Sequence, residues 1–288
     1  MNTPRRGAYA IHTAREGFSN ILHLPSGEIM HSRMNPTEEA ELLYVGQSCL
    51  RERLMGDPCD PLVVWDVGLG AAANAMAAVR CHEALTGCRG RRRLRVLSFE
   101  NDLDSLSLAM AHTDRFPYLQ HPAPGNLLEH GCWRDEALEW ELVIGNFPDS
   151  LSDAIPAPHV IFYDMYSAKT EPGPWDLATL CKVRDSCGDN RCELITYTVS
   201  TAARAKLLVA GFYVARGPVM GQKEETTIAL TPGAVAYPVA ERDLLDDRWL
   251  GKWNRSSARF PADIPNARHE AFSHAVLSHT QFSTDSVS

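Results

Sequence analysis

The stretch Pro61–Val79, "PLVVWDVGLGAAANAMAAV", decides how the rest of the chain is read. An apolar run ends in an acid, two glycines follow two residues apart, and a run of small residues opens a helix. "LVVWDV" has the length and content of a fully buried strand, and "AANAMAAVRCHEAL" reads as the helix behind it. Gly68 and Gly70 let the backbone turn sharply and approach a ligand with no Cβ in the way. The helix start beyond them offers free N–H groups. The third glycine of the dinucleotide pattern is missing, however. Ala71, Ala72 and Ala73 stand there, small residues that do not favour a positive φ. A strand that simply meets a helix is the plain alternative, and the rest of the chain has to decide.

Outward from this stretch the pattern continues as strand and helix. "LRVLSFE" is a second strand, and "DLDSLSLAMAHTDR" a helix that starts at an Asp cap. "WELVIGN", "PHVIFYDMY", "CELITYT", "GFYVARG" and "EETTIAL" are five more strand candidates. "WDLATLCKVRDSC" and "STAARAKLLVAG" are helices between them, the second closed by Gly211. Apolar strands alternating with amphipathic helices predict a mostly parallel sheet covered on both faces. The last two strands are joined by only "PVMGQK" and predict an antiparallel hairpin. The expected class is therefore α/β, a Rossmann-like, seven-stranded, mostly parallel sheet with an antiparallel terminal hairpin. That is the plan of S-adenosylmethionine-dependent methyltransferases rather than the six parallel strands of a dehydrogenase.

This domain is expected over residues 59–232. Before it, residues 1–58 hold a hairpin around "PSG" and a helix with Thr37 as its cap and Glu38 and Glu39 in its first turn. Ala40, Leu43, Tyr44 and Gln47 fall at helical spacing and predict a packed face. After it, residues 233–288 hold a short helix whose Trp249 and Trp253 pack back, then a tail expected to fray.

Composition narrows the class further. Hydrophobic residues make up 44% and charged ones 22%, enough for a normal core. No apolar run approaches the roughly 20 residues of a membrane span, and the N-terminus lacks the apolar segment of a secretory signal. A cytoplasmic enzyme is expected. The eight cysteines lack the spacing of structural zinc hooks and read as reduced thiols, so no metal is expected. With a formal charge of −8, a nucleic-acid partner needs a local basic surface. The run "RGRRRLR" offers Arg89, Arg91, Arg92 and Arg93, although a solvated loop is the commoner meaning of such a run.

Polar residues at the other strand ends sharpen the opening stretch. Glu100 ends the second strand, where α/β folds hold a ribose through both hydroxyls, and a carboxylate there disfavours a 2′-phosphate. Asn146 follows the third strand, with an amide suited to an adenine edge. Asp66, Gly68, Gly70, Glu100 and Asn146 thus converge on the carboxyl ends of adjacent strands. This set fits S-adenosylmethionine better than NAD. Asp164 ends the fourth strand beside the expected methyl donor. The loop behind it carries Tyr166, Ser167, Lys169 and Trp175, the make-up of a substrate platform. The plain alternatives are that Glu100 and Asp164 only start or cap the next segments.

Two motifs carry a family resemblance. "GLGAAAN", Gly68 to Asn74, is similar to a G-x-G-x-x-x-N turn, and "DMYSAKTEPGPW", Asp164 to Trp175, is similar to a D-x-[FY]-[SA]-[PA]-x-x-x-P-x-x-W loop. Both resemble the methyltransferase domain of the MnmC/MnmD type over roughly residues 17–256. The resemblance implies N-methylation of 5-aminomethyl-2-thiouridine at the tRNA wobble position. It further implies Asn74 as a donor-site residue, Asp164 as the group that aims the amine, and tRNA as partner. At 288 residues the chain is too short for the fused flavin-dependent oxidase of bifunctional members, so a separate oxidase is expected to supply the aminomethyl group. The loop departs from the usual S-P-x-K-N-P, which displaces the lysine. Methylation of a small-molecule or protein substrate, and a non-catalytic nucleoside- or RNA-binding relative, stand as the alternatives.

Overall fold

The computed structural model describes residues 3–31, 34–218, 225–257 and 259–283. The chain divides into two compact units, Met1–Tyr166 and Ser167–Ser288.

The first unit opens with a three-stranded antiparallel sheet of β1 (Arg5–Arg6), β2 (Tyr9–Thr13) and β3 (Ser19–His23). Its hairpin is β2–β3, with Tyr9 opposite His23 and Thr13 opposite Ser19. The turn expected around "PSG" exists, but it closes only a single bridge between Leu22 and Ile29. Next come α1 (Pro36–Glu39), a π-wound segment over Ala40–Gly46, and α2 (Leu50–Arg53). The cap of α1 is Asn35 rather than Thr37. The Thr37 N–H donates to Asn35 Oδ1 at 2.9 Å, and Pro36 takes the first helical position, where no N–H is needed. Ala40, Leu43, Tyr44 and Gln47 are all buried, as their spacing predicts.

The rest of this unit is α/β. It comprises β4 (Leu62–Val67), α3 (Ala73–Glu83), β5 (Leu94–Glu100), α4 (Asp104–Met110), α5 (Pro122–His130), β6 (Cys132–Arg134), β7 (Leu138–Ile144) and β8 (Val160–Tyr163). The order is β8–β4–β5–β7, all parallel, with β6 antiparallel on the edge of β7. Every residue of β4 is buried, as a strand covered on both faces requires. Register levels the strand ends. Val67 pairs with both Phe99 and Tyr163, and Glu100 with Ile144, so the loops that follow leave from one edge. The small residues of α3 are buried from Ala73 through Val79, which lets this helix lie close to the sheet without a third glycine.

The second unit contains α6 (Leu177–Ser186), β9 (Glu193–Thr196), α7 (Thr201–Val209), β10 (Tyr213–Gly217), β11 (Thr226–Leu230), α8 (Pro232–Ala236), β12 (Asp243–Leu244), α9 (Asp247–Arg255) and α10 (His269–Leu277). Its strands run β9–β11–β10–β12, antiparallel throughout. The β10–β11 hairpin is the one expected from sequence, and "GQK" in its loop lies outside the described residues. The seven expected strands are β4, β5, β7, β8, β9, β10 and β11; β6 and β12 are short additions. Trp249 and Trp253 are buried, stacking on Phe282 at 6.3 Å and tilting against Phe272 at 6.5 Å.

The tail departs from expectation up to Ser283. Gln281 Oε1 accepts from the Val214 N–H at 2.7 Å, and its Nε2 donates to the Val214 and Leu245 carbonyls at 2.9 and 2.8 Å. One side-chain amide thus acts as a peptide group against β10. Losing three partly buried hydrogen bonds of about 1 kcal/mol each predicts that Gln281→Ala lowers stability by about 1–3 kcal/mol, read by denaturant unfolding.

Candidate active site

The turn after β4 is built on three left-handed positions, each two residues after the last. Gly68 has φ +89° and Gly70 φ +52°; a Cβ on Gly68 would sit 2.8 Å from the Asp164 carbonyl oxygen. Ala72 corrects the sequence reading. It adopts φ +62° despite its Cβ, closing the turn through an N–H to the Leu69 carbonyl at 2.7 Å. Such a position costs on the order of 1–2 kcal/mol for an L-residue, and the burial of the following helix offsets it.

Glu100 fastens this turn to β5. Its Oε2 accepts from the Gly70 N–H at 3.0 Å, and its Oε1 from the N–H groups of Asn101 and Asp102 at 2.9 and 3.3 Å. Burial raises its pKa, and the three backbone donors work against that rise. Asn101 Nδ2 donates to Asn146 Oδ1 at 3.0 Å, joining the loops after β5 and β7. Asn146 is exposed, and its own NH2 group carries two N–H donors.

Asp66 is wholly buried on the central strand β4. Its Oδ2 accepts from Ser98 Oγ at 2.7 Å, and Ser98 Oγ accepts from Trp140 Nε1 at 2.9 Å. Asp66 Oδ1 has no hydrogen-bond partner among the described residues. Burial pushes its pKa up from 3.8 to about 7, with the Ser98 hydrogen bond opposing. The sign follows directly. The folded state holds a proton that the unfolded state has released, so stability falls as pH rises through the window from about 4 to about 7. Asp66→Asn is expected to flatten that fall, gaining on the parent by up to about 1.4 kcal/mol per pH unit there, measured by unfolding at stepped pH.

The two motifs, ninety residues apart, meet at Asp164. Asn74 Nδ2 donates to Asp164 Oδ2 at 2.7 Å, while Asn74 Oδ1 is buried without a partner among the described residues. A third residue stands there that the sequence reading does not single out. His31, at φ +54°, has Nε2 4.0 Å from Asp164 Oδ2 and Nδ1 3.6 Å from Glu39 Oε2. No local pattern announces it, because its position depends on a left-handed backbone in an irregular segment. Tyr166 packs its ring 5.1 Å from that of His23, and burial raises its phenol pKa.

Residues 119–232 match the profile of a family described as S-adenosyl-L-methionine-dependent methyltransferase. Over that segment the chain is similar to these methyltransferases. The matched segment includes Asn146 and the Asp164 loop, while the glycine turn and Glu100 precede it. Two curated relatives are tRNA 5-methylaminomethyl-2-thiouridine biosynthesis bifunctional proteins MnmC. That of Hahella chejuensis is 24% identical over 212 residues, covering 71% of this chain and 34% of the relative. That of a Caulobacter species is 27% identical over 198 residues, covering 64% of this chain and 33% of the relative. The chain thus spans about a third of the length of these relatives. The crystal structure of MNMC2 from Aquifex aeolicus shares the fold at a TM-score of 0.69 and 19% identity, covering 97% of this chain and 86% of that one.

The remaining expected residues fall at several places in the fold. Trp175 is only 3% exposed, turned inward by the tight Gly173–Trp175 turn that precedes the Asp176 cap of α6, so it forms core rather than an open stacking surface. Ser167 starts a turn, its carbonyl accepting from the Thr170 and Glu171 N–H groups at 2.8 and 2.9 Å, and Lys169 is exposed. The arginine run lies at the amino end of β5, whereas Glu100 lies at its carboxyl end, about 20 Å away for a seven-residue strand. Arg92 is tied into the fold through Asp60 Oδ2 at 2.7 Å and the Asp60 carbonyl at 2.8 Å, and Arg91 donates to Thr86 Oγ1. Arg89 and Arg93 are exposed on that far edge. None of the eight cysteines forms a disulfide, and no helix among the described residues is long and apolar enough to cross a membrane.

Proposed function

We propose that this methyltransferase N-methylates the aminomethyl group of 5-aminomethyl-2-thiouridine at the tRNA wobble position. The observation that carries the reading is the 2.7 Å hydrogen bond from Asn74 to Asp164, which ties the glycine turn to the loop that the family resemblance assigns to the acceptor. The names of the two curated relatives support the same nucleoside. A cytoplasmic setting follows from such a substrate, and a separate oxidase is proposed as the source of the aminomethyl group.

Three features suit S-adenosylmethionine at this edge. Gly68 and Gly70 take left-handed backbone in a turn that packs against the Asp164 carbonyl and the Met30 thioether with no room for a Cβ, which sets the turn close to the Asp164 loop. Asn74 Oδ1 is a buried acceptor in need of a donor. The Asn146 amide, oriented by Asn101, offers N–H donors to a base edge. Asp66 and Glu100 complete the acidic side of this edge, Glu100 by holding the turn and by its remaining lone pairs. When bound, the sulfonium supplies an electrophilic methyl group that needs no further activation.

The chain's own residues then have to align the acceptor. Asp164 keeps 21% of its side chain exposed, and its carboxylate accepts from a substrate ammonium while Asn74 fixes its plane. Alignment of this kind is an entropic contribution, large when the reacting groups are held in near-attack geometry. Asp164 orients rather than deprotonates, because a carboxylate favours the ammonium form beside it. Tyr166, Ser167 and Lys169 are proposed to line the acceptor side.

The test is transfer of a labelled methyl group from S-adenosylmethionine to hypomodified tRNA carrying 5-aminomethyl-2-thiouridine. Label in that tRNA, and none in tRNA with an unmodified wobble uridine, is the expected result. Equal labelling of a small amine or a protein in its place overturns the acceptor assignment. Thermal stabilisation by S-adenosylmethionine but not by NAD checks the donor separately.

A further inference from the structure

An ammonium must lose a proton before its nitrogen can attack, and Asp164 is a poor acceptor for it. We infer that His31 takes this proton, through an arrangement in which Glu39, His31 and Asp164 lie in line at the acceptor side of the site. The inference rests on the function proposed above and assigns a further catalytic residue within it.

Three separate pieces of backbone bring the cluster together. His31 sits in the irregular segment after β3, Glu39 ends α1, and Asp164 follows β8. His31 Nδ1 faces Glu39 Oε2 at 3.6 Å, and the opposite ring nitrogen faces Asp164 Oδ2 at 4.0 Å. A carboxylate on the Nδ1 side favours the tautomer with its proton there, leaving the Nε2 lone pair toward Asp164. The 4.0 Å gap has a chemical meaning. Two acceptors at that separation can both lie about 2.8–3.0 Å from one tetrahedral nitrogen, so an ammonium held by Asp164 presents a second N–H to His31.

The step balances simply. R–CH2–NH3+ gives a proton to Nε2, leaving R–CH2–NH2 with a free lone pair and an imidazolium, which returns the proton to solvent after product leaves. Asp164 is committed to holding the ammonium, whose charged form a neighbouring carboxylate favours, whereas an imidazole is the side chain most often used to accept a proton in catalysis. Among the described residues, the acids near the ring are Glu39 from α1, Asp164 after β8, and Asp66 of β4, which is within electrostatic reach of His31. All three are acids. They hold the imidazolium once formed, and Asp66 is wholly buried, away from the acceptor. His31 itself retains 12% exposure of its side chain, enough to pass the proton outward.

The experiment has a kinetic arm and a spectroscopic arm. In single-turnover methylation across pH, His31→Gln is expected to run about 100-fold slower near neutrality. Donor affinity should hold, and the deficit should shrink at high pH, where the amine loses its proton unaided. In the parent protein with 13C-labelled histidine and no donor, an anticodon stem–loop carrying 5-aminomethyl-2-thiouridine should move the His31 ring resonance toward the imidazolium position. The same RNA with plain uridine should not, and Glu39→Gln should weaken the response. A His31→Gln profile of unchanged shape, or a ring resonance indifferent to the amine, overturns the assignment. If the parent protein methylates no wobble nucleoside at all, the function reading fails instead. If His31→Gln does not fold, the spectroscopic arm on the parent decides.

Discussion

Replacing Asp164 with alanine is expected to leave S-adenosylmethionine bound and to cut the single-turnover rate by about 100- to 1000-fold. The expectation follows from where the carboxylate stands. It closes no part of the glycine turn through its side chain, and among the described residues its short polar bond is the donation from Asn74 Nδ2 at 2.7 Å. Removing it frees Asn74 but leaves Gly68, Gly70 and Glu100 in place, since the turn is held by the Glu100 carboxylate and by backbone. Donor affinity should therefore stay within about threefold of the parent, a difference of about 0.6 kcal/mol. Asp164→Asn is the informative companion. It keeps the volume and an oxygen acceptor but not the charge, so it should recover part of the rate if orientation dominates. Calorimetric donor binding beside single-turnover rates checks both. Collapse of donor affinity with turnover intact would assign Asp164 to the donor instead.

The second large effect belongs to Gly68. A methyl group there meets the Asp164 carbonyl oxygen at 2.8 Å and is attached to a backbone at φ +89°. The neighbour is main chain and is itself fixed by the Asp164 N–H to the Val67 carbonyl at 2.9 Å, so it cannot move aside cheaply. Left-handed strain and overpacking together predict that Gly68→Ala destabilises by about 2–4 kcal/mol and abolishes donor binding. Denaturant unfolding and donor titration measure the two halves. Gly70→Ala should be milder in packing, because the atom its Cβ meets at 3.1 Å is the flexible thioether of Met30.

These two positions also mark what the sequence makes legible. The parallel strands announce themselves as short apolar runs, and Gly68 and Gly70 announce a turn that a side chain would block. Even the edge at which the acids converge follows from the position of Asp66, Glu100 and Asp164 at strand ends. The pairing of Asn74 with Asp164 does not, because it depends on register between β4 and β8, which no local pattern encodes. His31 and Ala72 are hidden for a different reason. Both take left-handed backbone without being glycine, a choice imposed by tertiary packing against local preference. The helix α5 is obscured by its prolines, which read as breakers yet sit in its first turn, where missing N–H groups cost nothing; His121 Nδ1 accepts from the Ala123 N–H there. Gln281 gives no signal at all, since a polar residue in a loose-looking tail carries no periodicity. The arginine run shows the opposite failure. It is conspicuous in sequence, and the parallel strand that follows carries its position to the far edge from the site.

The most direct measurement is nucleoside mass spectrometry of hypomodified tRNA after incubation with the purified protein and S-adenosylmethionine. Loss of 5-aminomethyl-2-thiouridine matched by gain of 5-methylaminomethyl-2-thiouridine, with Asp164→Ala giving neither change over the same interval, is the predicted result. An unchanged wobble nucleoside in the presence of demonstrably bound donor would contradict it.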